Sequence, residues 1–88
     1  MNYFVIQVQT RGEQKYITMA RKQIPEDCLK IVWPRRLLTI RRRGRQYNSL
    51  APIFPGYLFL ETEELHSDEY WRLKKIPGFY RFLENNHN

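Results

Sequence analysis

The chain has one cysteine, Cys28, among its 88 residues. That excludes an internal disulfide framework and any multi-thiolate metal cage. Histidine is nearly as scarce, with His66 ahead of a helical stretch and His87 in the tail. No paired-acid motif, glycine-rich phosphate loop or metal-ligand spacing is present, and Cys28 has no basic neighbour to activate it, so no catalysis and no cofactor are expected. No apolar run approaches the roughly 18 residues of a membrane span. Tyr3–Val8 follows the start directly, without a charged leader or a cleavage site, so no signal peptide is read. A cytoplasmic, reducing setting, with neither membrane nor small-molecule substrate as partner, is the expectation.

Apolar residues make up 42% and aromatics 15%, enough for one packed core. At 10.8 kDa there is room for one domain, spanning residues 1–88. The net charge of +6 is local. Arg35, Arg36, Arg41, Arg42, Arg43 and Arg45 fall within eleven residues, and no acid interrupts them. Outside that window basic and acidic residues balance at nine each. A concentrated arginine patch attracts polyanions, since the guanidinium fork matches phosphate oxygens. A merely solvated hairpin is the blander explanation, and a scattered excess would suit it better.

Tyr3–Val8 is β-branched and aromatic and reads as a first strand buried on both faces. Thr10 and Glu13 have capping-box spacing, and Tyr16, Ile17, Ala20 and Ile24 recur at helical intervals until Pro25. Leu29–Ile40 reads as a second strand bent at Pro34, and Arg43-Gly44-Arg45 as a turn. Leu50–Glu61 returns as a third strand. Ser67-Asp68-Glu69 opens a second helix with Tyr70, Leu73 and Ile76 as its apolar stripe and Lys74 and Lys75 in its last turn. Pro77-Gly78 ends it, Phe79–Leu83 is a fourth strand, and Glu84–Asn88 a frayed tail. The order βαββαβ predicts an α+β, ferredoxin-like domain, a four-stranded antiparallel sheet with both helices on one face.

Within the third strand, Pro55-Gly56 interrupts an otherwise apolar run from Ile53 to Leu60. Proline removes a ladder donor and glycine permits a bulge, so the strand is expected to bend and re-aim Phe54 and Tyr57 as contact groups. Leu58 and Leu60 are expected to fill the core.

Phe54-Pro55-Gly56-Tyr57 followed by an apolar pair resembles the signature of the NusG N-terminal (NGN) domain family. Tyr3-Phe4-Val5-Ile6-Gln7, Ile31-Val32-Trp33-Pro34, Tyr70-Trp71-Arg72-Leu73 and Ile76-Pro77-Gly78-Phe79 are similar to other family elements, in the same order and across nearly the whole chain. The resemblance implies a transcription elongation factor domain. Such a domain binds the clamp helices of the largest RNA polymerase subunit and suppresses pausing by favouring the closed clamp. Matching positions carry over Phe54 and Tyr57 as clamp contacts, with Tyr3 (usually tryptophan in the family), Ile53 and Phe82 as weaker candidates. The family also carries a linker and a C-terminal KOW β-barrel, so a truncated chain is expected.

The arginine-rich stretch departs from the general factor and is similar to specialised LoaP-like and RfaH-like antiterminators, which recognise a leader RNA hairpin and non-template DNA respectively. Arg11 and Lys15 on the first helix, and Lys74 and Lys75 on the second, would extend the patch, although ordinary surface charge explains each taken singly. The rivals are a general elongation factor without sequence selectivity and an RNA-recognition-type module. Gly56-Tyr57-Leu58-Phe59 only faintly echoes the latter's third-strand motif.

Overall fold

The computed structural model describes residues 2–83; the tail from Glu84, with His87, lies outside them. Eight elements follow in order: β1 (Asn2–Val8), α1 (Glu13–Gln23), β2 (Lys30–Val32), β3 (Arg35–Arg42), β4 (Arg45–Pro52), β5 (Tyr57–Thr62), α2 (Ser67–Lys75) and β6 (Phe79–Phe82). One antiparallel sheet runs β2-β5-β1-β6, the strand order of a ferredoxin-like fold, and β3-β4 form a separate two-stranded ribbon. The α+β architecture expected from the sequence is therefore present, with a hairpin inserted.

Alternation along the strands sends Ile6 and Val8 of β1, Ile31 of β2 and Leu58 and Leu60 of β5 to one face. There they meet Tyr16, Ile17 and Ala20 of α1 and Leu73 of α2, with Ile24, Leu29 and Ile76 closing the cluster. The Tyr16 hydroxyl donates to the Leu73 carbonyl at 2.7 Å, and Arg72 Nη1 to the Gln23 carbonyl at 3.1 Å, tying the helices together. Both helices therefore cover the same side of the sheet.

Several expectations need correction. The strand over Leu29–Ile40 is two strands in different sheets, because Trp33-Pro34 ends β2 instead of bending it. The strand over Leu50–Glu61 is likewise split by residues 53–56. Pro55-Gly56 is no bulge. The Tyr57 N–H donates to the Phe54 carbonyl at 3.1 Å and Gly56 has φ +84°, the signature of a type II turn with proline and glycine at its two central positions. β1 is buried on one face only, since Tyr3 stays 56% exposed. Thr10 caps nothing; the N-cap of α1 is Gly12, without a side-chain cap bond. At α2, which opens at Ser67, the N-cap is His66, and the His66 N–H donates to Glu69 Oε1 at 3.1 Å.

Candidate functional site

The sheet face away from the helices is built by the alternate residues. Cross-strand register aligns three rows on it: Lys30–Glu61–Tyr3, Val32–Phe59–Val5, and Tyr57–Gln7–Arg81. The middle row is apolar and half-buried. The outer rows are polar and internally bonded. Tyr3 donates its hydroxyl to Glu61 Oε2 at 3.1 Å, Lys30 Nζ lies 4.0 Å from Glu61 Oε1, and Arg81 Nε donates to Gln7 Oε1 at 2.9 Å. The bond from Tyr3 and the charge of Glu61 raise the Tyr3 hydroxyl pKa above the usual phenol value. The result is an apolar strip with a polar margin on each side.

The type II turn adds Phe54 to that strip. Its ring meets Phe59 edge-on, centroids 5.8 Å apart, and stays half exposed. Ile53 is also exposed, its N–H donating to the Pro34 carbonyl at 3.0 Å. The turn is clamped from below. Val8 donates its N–H to the Gly56 carbonyl at 2.7 Å, and the Gly56 N–H donates to Glu13 Oε2 at 2.8 Å. Glu13 is 3% exposed, a buried carboxylate on the first residue of α1. A Cβ at position 56 would lie 3.1 Å from Thr10 Oγ1 and 3.2 Å from the Val8 carbonyl, so the positive φ and the close approach both favour glycine.

Phe54, Tyr57, Tyr3 and Ile53 are thus gathered on or beside one face. Phe82 is not. It pairs with Ile6 and stacks on Tyr70 of α2, centroids 4.6 Å apart, on the helix-covered side. The strip residues Val5, Val32 and Phe59 and the buried Glu13 were missed from sequence. Alternation turns Phe59 outward once Leu58 and Leu60 point inward, but Val5 and Val32 join it only through cross-strand register; Glu13 leaves no local signal, because its partner is 43 residues away.

The β3-β4 ribbon carries the arginines. Residues 39–50 are all exposed. The register divides the six arginines: Arg36, Arg42 and Arg45 share one face with Ile40 and Tyr47, while Arg35 and Arg41 share the other with Leu37 and Leu50. Arg43 sits at the tip. Arg43 (φ 53°) and Gly44 (φ 76°) both have positive φ between the paired Arg42 and Arg45, as a type I′ hairpin turn requires. Arg35 lies over the Trp33 ring at 4.5 Å. With the Gln46 amide oxygen turned inward, it accepts from Arg41 Nη2 and Nε at 3.1 and 3.2 Å.

The remaining basic candidates are elsewhere. Arg11 is in the turn before α1 with φ 72°, and Lys15 is exposed on α1. Lys74 lies over the Tyr70 and Trp71 rings at 5.0 and 4.8 Å, and Lys75 is exposed beside it on α2. Among the described residues no hydrogen bond, ion pair or ring contact joins these four to the ribbon.

At the far end of β2 and β5, Glu26, Asp27, Glu61, Glu64 and Glu69 line a concavity of about 620 Å³ with Cys28 and His66. Among the described residues no group of three or more His, Cys, Asp or Glu side chains is arranged to hold a metal ion, and no helix is long and apolar enough to cross a membrane. No curated protein matches the chain. A family described as transcription termination factor nusG matches residues 1–88. The match covers the whole chain, and the four-stranded sheet, its strand order and its helical layer agree with it. The chain therefore belongs to the NusG family, as an N-terminal domain of a transcription elongation and termination factor whose general partner is RNA polymerase.

Proposed function

We propose that the apolar strip of the open sheet face receives the clamp helices of RNA polymerase, with Phe54 and Tyr57 as principal contacts and Tyr3 and Ile53 at the margin. The observation that carries this reading is the arrangement of rows. Val5, Val32, Phe59 and Phe54 form an apolar strip between two polar rows. A helix lays its apolar stripe into such a strip and meets the polar rows with its flanks. Phe54 and Tyr57 are held by a turn that is itself pinned at both backbone groups of Gly56, so little freedom is lost on binding. Binding favours the closed clamp by differential affinity alone, with no covalent step. The ribbon then contacts leader RNA or non-template DNA, which makes the chain a specialised antiterminator of the LoaP or RfaH type. Arg36, Arg42 and Arg45, on one face without an acid, support that part of the reading.

The test is titration of the chain against core RNA polymerase. Phe54→Ala and Tyr57→Ala should each weaken binding about tenfold or more, as interface anchors do, with little change in thermal stability. Phe82→Ala should lower stability through its lost stacking on Tyr70. Unchanged polymerase affinity in both Phe54→Ala and Tyr57→Ala would refute the clamp reading. Single-stranded RNA bound at the sheet and lost in Tyr57→Ala would mark an RNA-recognition module instead.

A further inference from the structure

We infer that the tip of the ribbon holds a base-stacking site: Tyr47 offers its ring to an unpaired nucleotide of an RNA loop, while Arg42 and Arg45 hold the flanking phosphates. This rests on the proposed nucleic-acid role of the ribbon and names the feature of the ligand that the ribbon takes.

Tyr47 stands directly opposite Ile40, and Arg42 directly opposite Arg45, on one face of the ribbon. Arg45 is therefore two residues from Tyr47 on the same strand, and Arg42 is its diagonal cross-strand neighbour. Ile40, Arg42, Arg43 and Tyr47 together line an open groove of about 820 Å³. Tyr47 is 49% exposed, and no ring contact or hydrogen bond of its side chain is present among the described residues.

The opposite face of the same ribbon differs. There Thr39 Oγ1 bonds Asn48 Oδ1 at 3.3 Å and Arg41 pairs with Gln46. Its polar groups near the tip bond to one another, whereas among the described residues no side-chain hydrogen bond or ion pair joins Arg42, Arg45 or Tyr47 to another group. A cross-strand Tyr–Ile pair would by itself be ordinary hairpin stabilisation. Two arginines placed directly opposite each other are not, because like charges in register weaken the ribbon. An anion between them removes that repulsion, and the aromatic ring beside them selects an anion that carries a flat, apolar face. A nucleotide has both. Duplex RNA hides its base faces in the stack, so only an unpaired stretch can use the ring, and loops are where RNA presents one.

The experiment titrates the chain with a stem–loop RNA carrying 2-aminopurine in its loop, across a salt series. A blunt duplex of the same stem and a DNA stem–loop of the same sequence are run beside it. Tyr47→Leu keeps an apolar side chain without a ring, Tyr47→Phe keeps the ring, and Arg42→Gln/Arg45→Gln removes the charges. The expected result is loop-dependent binding with 2-aminopurine quenching. Tyr47→Leu should weaken it roughly ten- to a hundredfold without changing the salt slope, and Tyr47→Phe should bind as wild type. The double arginine variant should flatten the log–log slope by about one to one and a half units. All three positions are exposed and outside the core, so the variants fold. Binding that depends on the arginines but is indifferent to Tyr47→Leu overturns the stacking site and leaves the ribbon's nucleic-acid role standing. Equal affinity for the blunt duplex also overturns it, and preference for the DNA loop overturns RNA as the source. No binding to any of the three refutes the nucleic-acid role itself.

Discussion

Glu13 shows how one side chain fixes a surface it never reaches. Its buried carboxylate satisfies the Gly56 N–H and so sets the turn that presents Phe54 and Tyr57. Glu13→Ala leaves that N–H unpaired and should cost about 1–3 kcal/mol in denaturant unfolding. Glu13→Gln retains an acceptor oxygen and should cost less. Gly56→Ala combines positive φ with a tight 3.2 Å approach to the Val8 backbone carbonyl and should cost about 2 kcal/mol. Gly44→Ala has the same sign of φ but nothing within 4 Å. It should cost about 1 kcal/mol, felt in the ribbon alone. Tyr16 makes a prediction in pH. Burial raises its hydroxyl pKa well above the ordinary value, so its contribution is complete below the unfolded value of about 10 and is lost as pH rises further. Alkaline unfolding should therefore steepen by up to about 1.4 kcal/mol per pH unit from this group, and that increment should vanish in Tyr16→Phe.

At the scale of elements, the ribbon and the sheet are separate units. Ile53 donates to Pro34, so the two ends of the ribbon already meet at its root. Replacing residues 35–52 by a short glycine linker should leave the sheet and helices folded, with circular dichroism losing strand signal and thermal unfolding shifting little. Amide exchange should find β1 and β5 most protected and β3 and β4 least, since an isolated two-stranded ribbon is marginal in water. Arg45→Glu should strengthen the ribbon by about 0.2–1 kcal/mol by replacing a like-charge pair, while weakening any nucleic-acid binding. Much of this architecture was legible beforehand. The helix over Glu13–Gln23 followed from apolar spacing and Pro25, and the inward Leu58 and Leu60 from alternation. The breaks at Trp33-Pro34 and at residues 53–56 were not legible as breaks. A strand that bends and a strand that changes partners have the same residue pattern; only the partner distinguishes them. The open face was readable in outline for the same reason that it was incomplete. Phe54 and Tyr57 stand out by motif, whereas Val5, Val32 and Phe59 acquire meaning only from register.

The whole molecule is elongated. Its radius of gyration is 15.1 Å and its extents are 52 × 31 × 23 Å, against a radius of about 12 Å for a compact chain of this length. Its charge is unevenly placed. The ribbon leaves β2 beyond Val32, while Glu26, Asp27, Glu61, Glu64 and Glu69 gather at the Lys30 end of the same edge. A polyanion is therefore drawn to the ribbon and repelled from the acidic concavity, and the proposed association with nucleic acid should slow sharply as salt rises past the range where the Debye length is about 10 Å. The separation of ribbon from core has a historical consequence as well. Residues 39–50 are all exposed, so selection for folding scarcely constrains them, whereas Glu13, Gly56 and the strip are constrained together. Homologues should accordingly diverge fastest in the ribbon, so that under the proposed roles a lineage acquires a new nucleic-acid target there by drift while the proposed polymerase face stays fixed.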